Sequence, residues 1–220
     1  MTRPRLLDLF CGGGGAAMGY HRAGFGVVGV DIMRQPDYPF EFHQGDAMRY
    51  PLTGFDVVHA SPPCKRFTPL RHRDSTRLRL FDPYVDLLTP TLDWFAGLDV
   101  PWIVENVVGA PMPLGSVTYC GSSFGLRVRR HRLFASNVHI AAPPCDHATQ
   151  GKPVGVYGNG GGWDRTRAPG GGGVKVAGAD AAAALGVEWT AHQPTLAQMI
   201  PPAYTQHVGR QLLAALGVAA

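Results

Sequence analysis

The chain has 220 residues, of which 45% are apolar and 16% are charged. This composition is typical of a folded domain with a substantial core and excludes a disordered chain. The longest apolar runs are far too short to cross a bilayer, and Asp8 interrupts the one N-terminal apolar segment that could serve as a signal peptide. We therefore expect a cytoplasmic protein with one main domain and no membrane partner.

The first predicted elements are short apolar strands that alternate with helices. The strands are predicted at 5–10, 25–32, 40–47, 54–63 and 100–107, with a helix after the first strand that closes at Gly24. Further helices are predicted near 87–95, at 178–189 and at 203–217. Strands that are apolar throughout and alternate with helices predict an α/β fold with a doubly wound, mostly parallel sheet.

A change of composition near residue 136 divides the chain. Residues 151–173 contain ten glycines and few apolar anchors, which predicts a loop or small lobe rather than a core element. We expect one domain built from 1–135 and 178–220, and a short variable segment at 136–177.

The basic residues are unevenly distributed around a net charge of +4. Arginine supplies 17 of the 20 basic residues. Two clusters stand out: Lys65, Arg66, Arg71, Arg73, Arg77 and Arg79, and then Arg127, Arg129, Arg130 and Arg132. Arginine suits bidentate phosphate contacts, although ordinary solvated surfaces explain such clusters equally well.

The four cysteines, Cys11, Cys64, Cys120 and Cys145, have no CxxC spacing. We expect free thiols in a reducing compartment. The sequence "CDH" at 145–147 is too thin a motif to predict a metal site, so we expect none.

A glycine-rich loop, "DLFCGGGGAAMG", joins the first strand to the first helix. Gly12, Gly14 and Ala17 fit a relaxed dinucleotide fingerprint. Asp31 ends the second strand, where a carboxylate can accept from ribose hydroxyls. Asp46 ends the third strand and could accept from an adenine amino group or simply shape a turn. The motif predicts a nucleoside cofactor, nicotinamide or S-adenosylmethionine, unless the glycines only join strand to helix.

A thiol and a carboxyl group are predicted at the same edge of the sheet. Cys64 follows the fourth strand and Glu105 follows the core of the fifth, and ligands of open α/β sheets bind outside these strand ends. A dehydrogenase has no use for this pair. An enzyme that methylates carbon C5 of cytosine needs both, because a thiolate adding at C6 activates C5 while an acid at N3 assists the addition. We expect neighbouring arginines to lower the pKa of the thiol.

The motifs together resemble those of the C5-cytosine DNA methyltransferase family. The resemblance rests on "DLFCGGGG", "SPPC", "VENV", "RRHRLF" and "IPPAYTQHVGRQLL", and it covers the chain apart from the glycine-rich segment. It implies the S-adenosylmethionine-dependent methyltransferase fold, with 136–177 as a small recognition lobe. It also implies methyl transfer from S-adenosylmethionine to cytosine C5 in double-stranded DNA.

The resemblance also implies roles for individual residues. The catalytic set is Cys64 as nucleophile, Glu105 as the partner of N3, and Arg130 and Arg132 near the base. The cofactor set is Phe10, Gly12, Gly14, Asp31 for the ribose, Asp46 for the adenine, Pro62 and Gln198. A duplex substrate implies base flipping. The DNA-contact set is Arg66, Arg71, Arg73, Arg77, Arg165 and Arg167.

Three features depart from the family pattern. Val128 occupies a position where the family usually has glutamine, and Ala197-Gln198 stands where it usually has Gly-Asn. The variable segment is also short, which predicts weak sequence preference with phosphate contacts supplying most of the affinity. Such compact members resemble those of phage genomes, where modification protects DNA from host nucleases, and this would place the protein in a host cytoplasm.

Other functions stay open at this point. The same chemistry could act on RNA or a free nucleotide, or use a modified S-adenosylmethionine. The chain could also be an inactive DNA-binding module that kept the fold. We expect no obligate protein partner.

Overall fold

The computed structural model describes residues 2–67, 85–157 and 174–218. These residues form nine strands: β1 (Arg5–Leu9), β2 (Gly26–Asp31), β3 (Glu41–Gln44), β4 (Val57–Ala60), β5 (Trp102–Val107), β6 (Val117–Tyr119), β7 (Arg132–Ser136), β8 (Val154–Gly155) and β9 (Val174–Lys175). The same residues form five α-helices: α1 (Gly15–Ala23), α2 (Leu88–Phe95), α3 (Gly178–Leu185), α4 (Gln193–Gln198) and α5 (Pro202–Ala215). Each of the five predicted strands is present but shorter than predicted at one end or at both.

Seven of these strands form one sheet in the order β3-β2-β1-β4-β5-β7-β6. The first five are parallel to one another, whereas β7 runs antiparallel to both β5 and β6. The predicted doubly wound, mostly parallel sheet is confirmed. The antiparallel pair β6 and β7 was not among the predicted strands.

Both faces of the sheet are covered, which explains why its strands are apolar throughout. Successive side chains of β1 alternate between the faces, so that Leu6 joins a cluster with α1 and α5 while Leu7 joins a cluster with α2. Helices α1 and α5 approach closely at two glycines. A Cβ at Gly19 would overlap the Pro202 carbonyl oxygen, and a Cβ at Gly209 would lie 2.7 Å from the Ala23 Cβ.

A third hydrophobic cluster includes part of the predicted variable segment. Val154 and Val156 are buried beside Val128 and Leu185 of α3. Strand β8 pairs in parallel with β9 in a separate two-stranded sheet. The described part of 136–177 is therefore anchored by apolar packing, and the proposed division into domains stays a prediction.

Within the described ranges, every helix is too short or too polar to span a bilayer.

Candidate active site

The fourth and fifth strands bring Cys64 and Glu105 to the same edge of the sheet. Cys64 follows β4 after two prolines. Glu105 lies inside β5, since this strand continues to Val107. The Asn106 side chain ties the two segments together, since its Nδ2 donates to the Pro62 carbonyl at 3.0 Å. Its Oδ1 accepts from the Val107 amide at 2.9 Å.

The antiparallel strand β7 places an arginine against Glu105. Arg132 opposes Val107 in the ladder between β5 and β7, and its Nε donates to Glu105 Oε1 at 3.1 Å. The two side chains are only 14% and 7% exposed. A buried ion pair is strongly destabilised if one partner is removed, because the other charge is left without compensation.

Arg130 is buried beside this pair and held by main-chain carbonyls. Its guanidinium donates to the carbonyl oxygens of Ala197 at 2.6 Å and Val156 at 3.2 Å. The Tyr204 hydroxyl donates to the Arg130 carbonyl at 3.0 Å. Burial lowers the pKa of Arg130 to about 10, so the side chain remains charged at neutral pH. The residue adopts a φ of 40°, a left-handed conformation that costs energy for a non-glycine residue.

The four side chains Cys64, Glu105, Arg130 and Arg132, which we call the cysteine pocket, influence one another electrostatically. Burial raises the pKa of Cys64; Arg132 and Arg130 oppose this rise, and Glu105 adds to it. Burial also raises the pKa of Glu105, opposed by Arg132. The two arginines act to lower the thiol pKa, as expected, but the net shift of the Cys64 pKa is upward because the loss of hydration outweighs them.

A chain of hydrogen bonds connects Tyr20, His59 and Ser61 to Glu105. The Tyr20 hydroxyl lies 2.9 Å from His59 Nδ1, and His59 Nε2 lies 2.9 Å from Ser61 Oγ. Ser61 in turn bonds the Glu105 carboxylate, which favours its charged form. Burial lowers the pKa of His59 to about 3, so this ring is neutral. A neutral ring with Nε2–H can accept a hydrogen bond from the Tyr20 hydroxyl and donate one to Ser61. Each group in the chain can then donate to the next one, from Tyr20 to the Glu105 carboxylate.

The glycine loop, residues 10–15, lies at the neighbouring strand end. Phe10, Gly12 and Gly14 adopt positive φ values of 55°, 48° and 83°. A Cβ at Gly12 would meet nothing within 4 Å, whereas one at Gly13 would overlap Thr195 and one at Gly15 would overlap the Ile200 carbonyl. The loop is thus packed on one side by the segment around α4 and open at Gly12.

Asp31 joins this open side of the loop. Its carboxylate accepts from the amides of Gly12 at 3.0 Å and Met33 at 2.9 Å. These two bonds fix the carboxylate and leave acceptor capacity for hydroxyl groups of a ligand. An open glycine next to a fixed carboxylate fits the ribose of a nucleoside cofactor, such as that of S-adenosylmethionine.

Asp46 has a structural role in this fold. It precedes a short 3-10 helix (Ala47–Arg49), and its side chain accepts from the Met48 amide at 2.9 Å. The turn-forming alternative is therefore seen directly, and contact with an adenine amino group stays a prediction.

The remaining predicted residues are distributed around these two features. Pro62 is buried next to the cysteine pocket, and Gln198 is exposed at the end of α4, where it donates to the Pro194 carbonyl at 3.3 Å. Arg66 is exposed in a 3-10 helix (Lys65–Phe67) directly after Cys64. The predicted DNA contacts that lie outside the described residues are Arg71, Arg73, Arg77, Arg165 and Arg167.

Two residues that no motif indicated make side-chain hydrogen bonds to main chain that is distant in sequence. The Trp189 indole donates to the Gly13 carbonyl at 3.0 Å across 176 positions of sequence. Gln150 Nε2 donates to the Leu126 and Val128 carbonyls, both at 2.9 Å. Val128 itself is buried in the third hydrophobic cluster. No local sequence signal marks either long-range contact.

Solved methyltransferase structures share this architecture over nearly the whole chain. A DNA modification methyltransferase encoded within an E. coli prophage has a TM-score of 0.63 and 14% identity, covering 97% of this chain and 99% of that one. S. pombe Dnmt2 methyltransferase has a TM-score of 0.66 and 12% identity, with coverage of 98% and 99%. Entamoeba histolytica methyltransferase EhMeth has a TM-score of 0.64 and 11% identity, again with coverage of 98% and 99%.

Comparison with protein-family models and with curated proteins gives no match. The structural likeness establishes the predicted methyltransferase fold.

Proposed function

We propose that the protein transfers a methyl group from S-adenosylmethionine to C5 of cytosine in DNA, through a covalent bond between Cys64 and C6. The observation that carries the proposal is the cysteine pocket. A thiol stands within electrostatic reach of a buried carboxyl group that is paired with Arg132 at 3.1 Å. The shared methyltransferase fold supports the same reaction class.

Cys64 is the nucleophile in this proposal. Its sulfur adds to C6 of the cytosine ring while Glu105, as the acid, donates a hydrogen bond or proton to N3. The addition moves electron density to C5, which takes the methyl group, and S-adenosylhomocysteine is the other product. Loss of the C5 proton to water and return of the N3 proton to Glu105 then allow the sulfur to leave, and this restores the thiolate and the aromatic ring.

The raised pKa values of the thiol and the carboxyl group are useful for this sequence. A raised pKa keeps Glu105 protonated at a higher pH than usual, which suits a hydrogen-bond donor to N3. Because the Glu105 charge raises the thiol pKa, neutralising Glu105 leaves Arg132 free to stabilise the thiolate. Protonation of the acid and ionisation of the thiol therefore favour each other.

The glycine loop and Asp31 are the proposed cofactor site. S-adenosylmethionine supplies an electrophilic methyl group when bound. Gly12 offers a surface without a side chain, and Asp31 offers a fixed carboxylate for the ribose hydroxyls. Phe10, Gly14, Asp46, Pro62 and Gln198 complete the proposed set.

DNA as the acceptor is supported by the cluster of basic residues that follows Cys64 in the sequence and by the DNA modification methyltransferase among the similar structures. Engagement of C5, C6 and N3 together requires the base to leave the stack of a duplex. Arg66 lies two residues after Cys64, where it can contact a phosphate.

Covalent trapping tests the proposal. The full chain is incubated with S-adenosylmethionine and duplex DNA carrying 5-fluorocytosine, whose C5 fluorine blocks release of the enzyme. We expect a DNA adduct that depends on the cofactor, maps to Cys64 by peptide mass spectrometry and is absent in Cys64→Ser. Normal methyl transfer without such an adduct would refute the covalent route.

Acceptor choice is tested with the same preparation. Labelled methyl incorporation is compared between duplex DNA, tRNA and dCMP, with mass spectrometry of the product base. We expect 5-methylcytosine in DNA. Retardation of DNA without methyl incorporation into any acceptor would instead identify a binding protein that kept the fold.

A further inference from the structure

A second cluster of reactive side chains lies outside the cysteine pocket. Cys120 follows β6, His131 precedes β7, and Cys145 and His147 lie in the segment after β7. One ligand atom from each residue lies within 4.8 Å of all the others. We call these four residues the Cys/His cluster.

Two sulfur-to-nitrogen distances within the cluster are close to those of a metal site. Cys120 Sγ is 3.3 Å from His147 Nε2, and Cys145 Sγ is 3.4 Å from His131 Nε2. Zinc bonds of about 2.3 Å to sulfur and 2.0–2.1 Å to nitrogen put tetrahedral ligand atoms about 3.3–3.8 Å apart. The four ligand atoms therefore need only small movements to surround one zinc ion.

The surrounding polar groups support this interpretation. Ser122 Oγ lies 3.1 Å from Cys120 Sγ and accepts from the Asp146 amide at 3.0 Å. Its hydroxyl hydrogen can then donate to a thiolate, as outer groups of metal sites do. Cys120 is fully buried while Cys145 is exposed, so apolar packing does not explain why the four side chains converge.

We propose that Cys120, His131, Cys145 and His147 form a structural zinc site. Two thiolates and two imidazoles complete a tetrahedral Cys₂His₂ set, which leaves no open position for a substrate and marks a structural rather than a catalytic site. The expectation of no metal rested on the absence of CxxC spacing and on the thin motif "CDH", whereas the fold brings Cys120 and His131 next to this motif.

The position of the cluster suggests what the ion does. His131 stands between Arg130 and Arg132 of the cysteine pocket. A zinc ion would join the end of β6, the start of β7 and the segment at 145–147 into one unit. This would hold the main chain that carries both arginines, including the strained conformation of Arg130.

Metal content of the full chain tests the proposal. Protein purified without chelators is measured by inductively coupled plasma mass spectrometry, and we expect about one zinc per chain. Cys145→Ser and His147→Ala each remove one of four ligands and so about a quarter of the binding free energy of the site. Zinc affinity should therefore fall on the order of 100-fold in each variant. His139→Ala, an exposed histidine in the same segment, should retain the metal.

Two further measurements keep the test valid if a variant folds poorly. Cobalt loaded into the unmutated protein should give the visible spectrum of a tetrahedral site with a thiolate-to-cobalt charge-transfer band. Cys64→Ser should keep its zinc while losing methyl transfer, which separates this proposal from the proposed function. Unmutated protein that binds neither metal, or that holds a Cys120–Cys145 disulfide instead, would overturn the proposal.

Discussion

The glycine loop and the cysteine pocket lie at the same edge of one sheet, but different kinds of bond hold them in place. In the glycine loop, Asp31 is fixed by two main-chain amides, and glycines allow α4 to pack closely. In the cysteine pocket, charged side chains from separate strands hold one another, as in the pair of Arg132 and Glu105 at 3.1 Å. The first region is shaped by the backbone and the second by side-chain charge.

This difference predicts where each region is sensitive to mutation. A site made from backbone tolerates changes of charge but not of volume, because interiors are close-packed. A buried set of charges tolerates changes of volume but not of charge, since an unpaired buried charge is costly. Mutations in the two regions test this contrast, and the largest effect is expected in the cysteine pocket.

The largest effect is expected for Glu105→Gln, which keeps the volume and removes the acid. Turnover should fall by about 10²–10⁴-fold, the usual contribution of a general acid. Cofactor affinity should change little, because Asp31 and the glycine loop are untouched. Single-turnover methyl transfer and equilibrium binding of S-adenosylmethionine measure the two quantities separately.

The matched control is Glu41→Gln, which changes an exposed glutamate on the edge strand β3. It should leave turnover unchanged. A comparable loss of turnover in both variants would contradict the role of Glu105 as the acid, and a loss of cofactor affinity in Glu105→Gln would show that the two regions are not built independently.

The next effect is expected in the glycine loop, for Gly15→Ala. Alanine favours a helix by about 1 kcal/mol over glycine, but the added Cβ would overlap the Ile200 carbonyl. Overpacking of this kind costs about 1–3 kcal/mol, and main chain cannot move aside as a flexible side chain can. We expect a net loss of stability and weaker cofactor binding, measured by denaturant unfolding and titration.

Gly45→Ala provides the comparison, because a Cβ there would meet nothing within 4 Å. Its stability should remain within a few tenths of a kcal/mol of the parent, as for surface substitutions generally. Equal losses in the two variants would rule out close packing as the cause.

A third prediction concerns the ionisation of Cys64. Glu105 raises the thiol pKa and Arg132 lowers it, so Glu105→Gln should increase the thiolate fraction and Arg132→Met should decrease it. Below the pKa, the alkylation rate of Cys64 should rise by roughly 10-fold in the first variant and fall similarly in the second. The rate of each variant should still increase with pH through its own thiol pKa.

The measurement is the rate of iodoacetamide modification of the Cys64 peptide, followed by mass spectrometry across pH. Gly15→Ala should leave this profile in place, because it changes no charge in the pocket. Profiles that coincide for all four proteins would contradict the electrostatic account of the pocket.

The parts that the sequence predicted are those whose physical cause is local. The buried strands follow from the pattern of apolar residues along the sequence. The glycine loop follows from the residues that turns require, and the position of Asp31 follows from the geometry of parallel sheets. The antiparallel strand β7 was missed, because its charged start, "RRHRLF", lacks the apolar pattern of a central strand. The net direction of the Cys64 pKa also depends on burial, which local sequence does not reveal.

The smallest effect is expected where a distant residue supports the glycine loop. Trp189→Phe keeps an aromatic ring but removes the indole N–H that donates to the Gly13 carbonyl at 3.0 Å. Loss of one such bond costs about 0.5–1.5 kcal/mol, and part of that loss should appear as weaker cofactor binding. The comparison is Trp94→Phe, in a helix on the other side of the sheet. If stability falls equally in both variants while cofactor affinity is unchanged in both, the glycine loop depends only on its own packing and not on this bond.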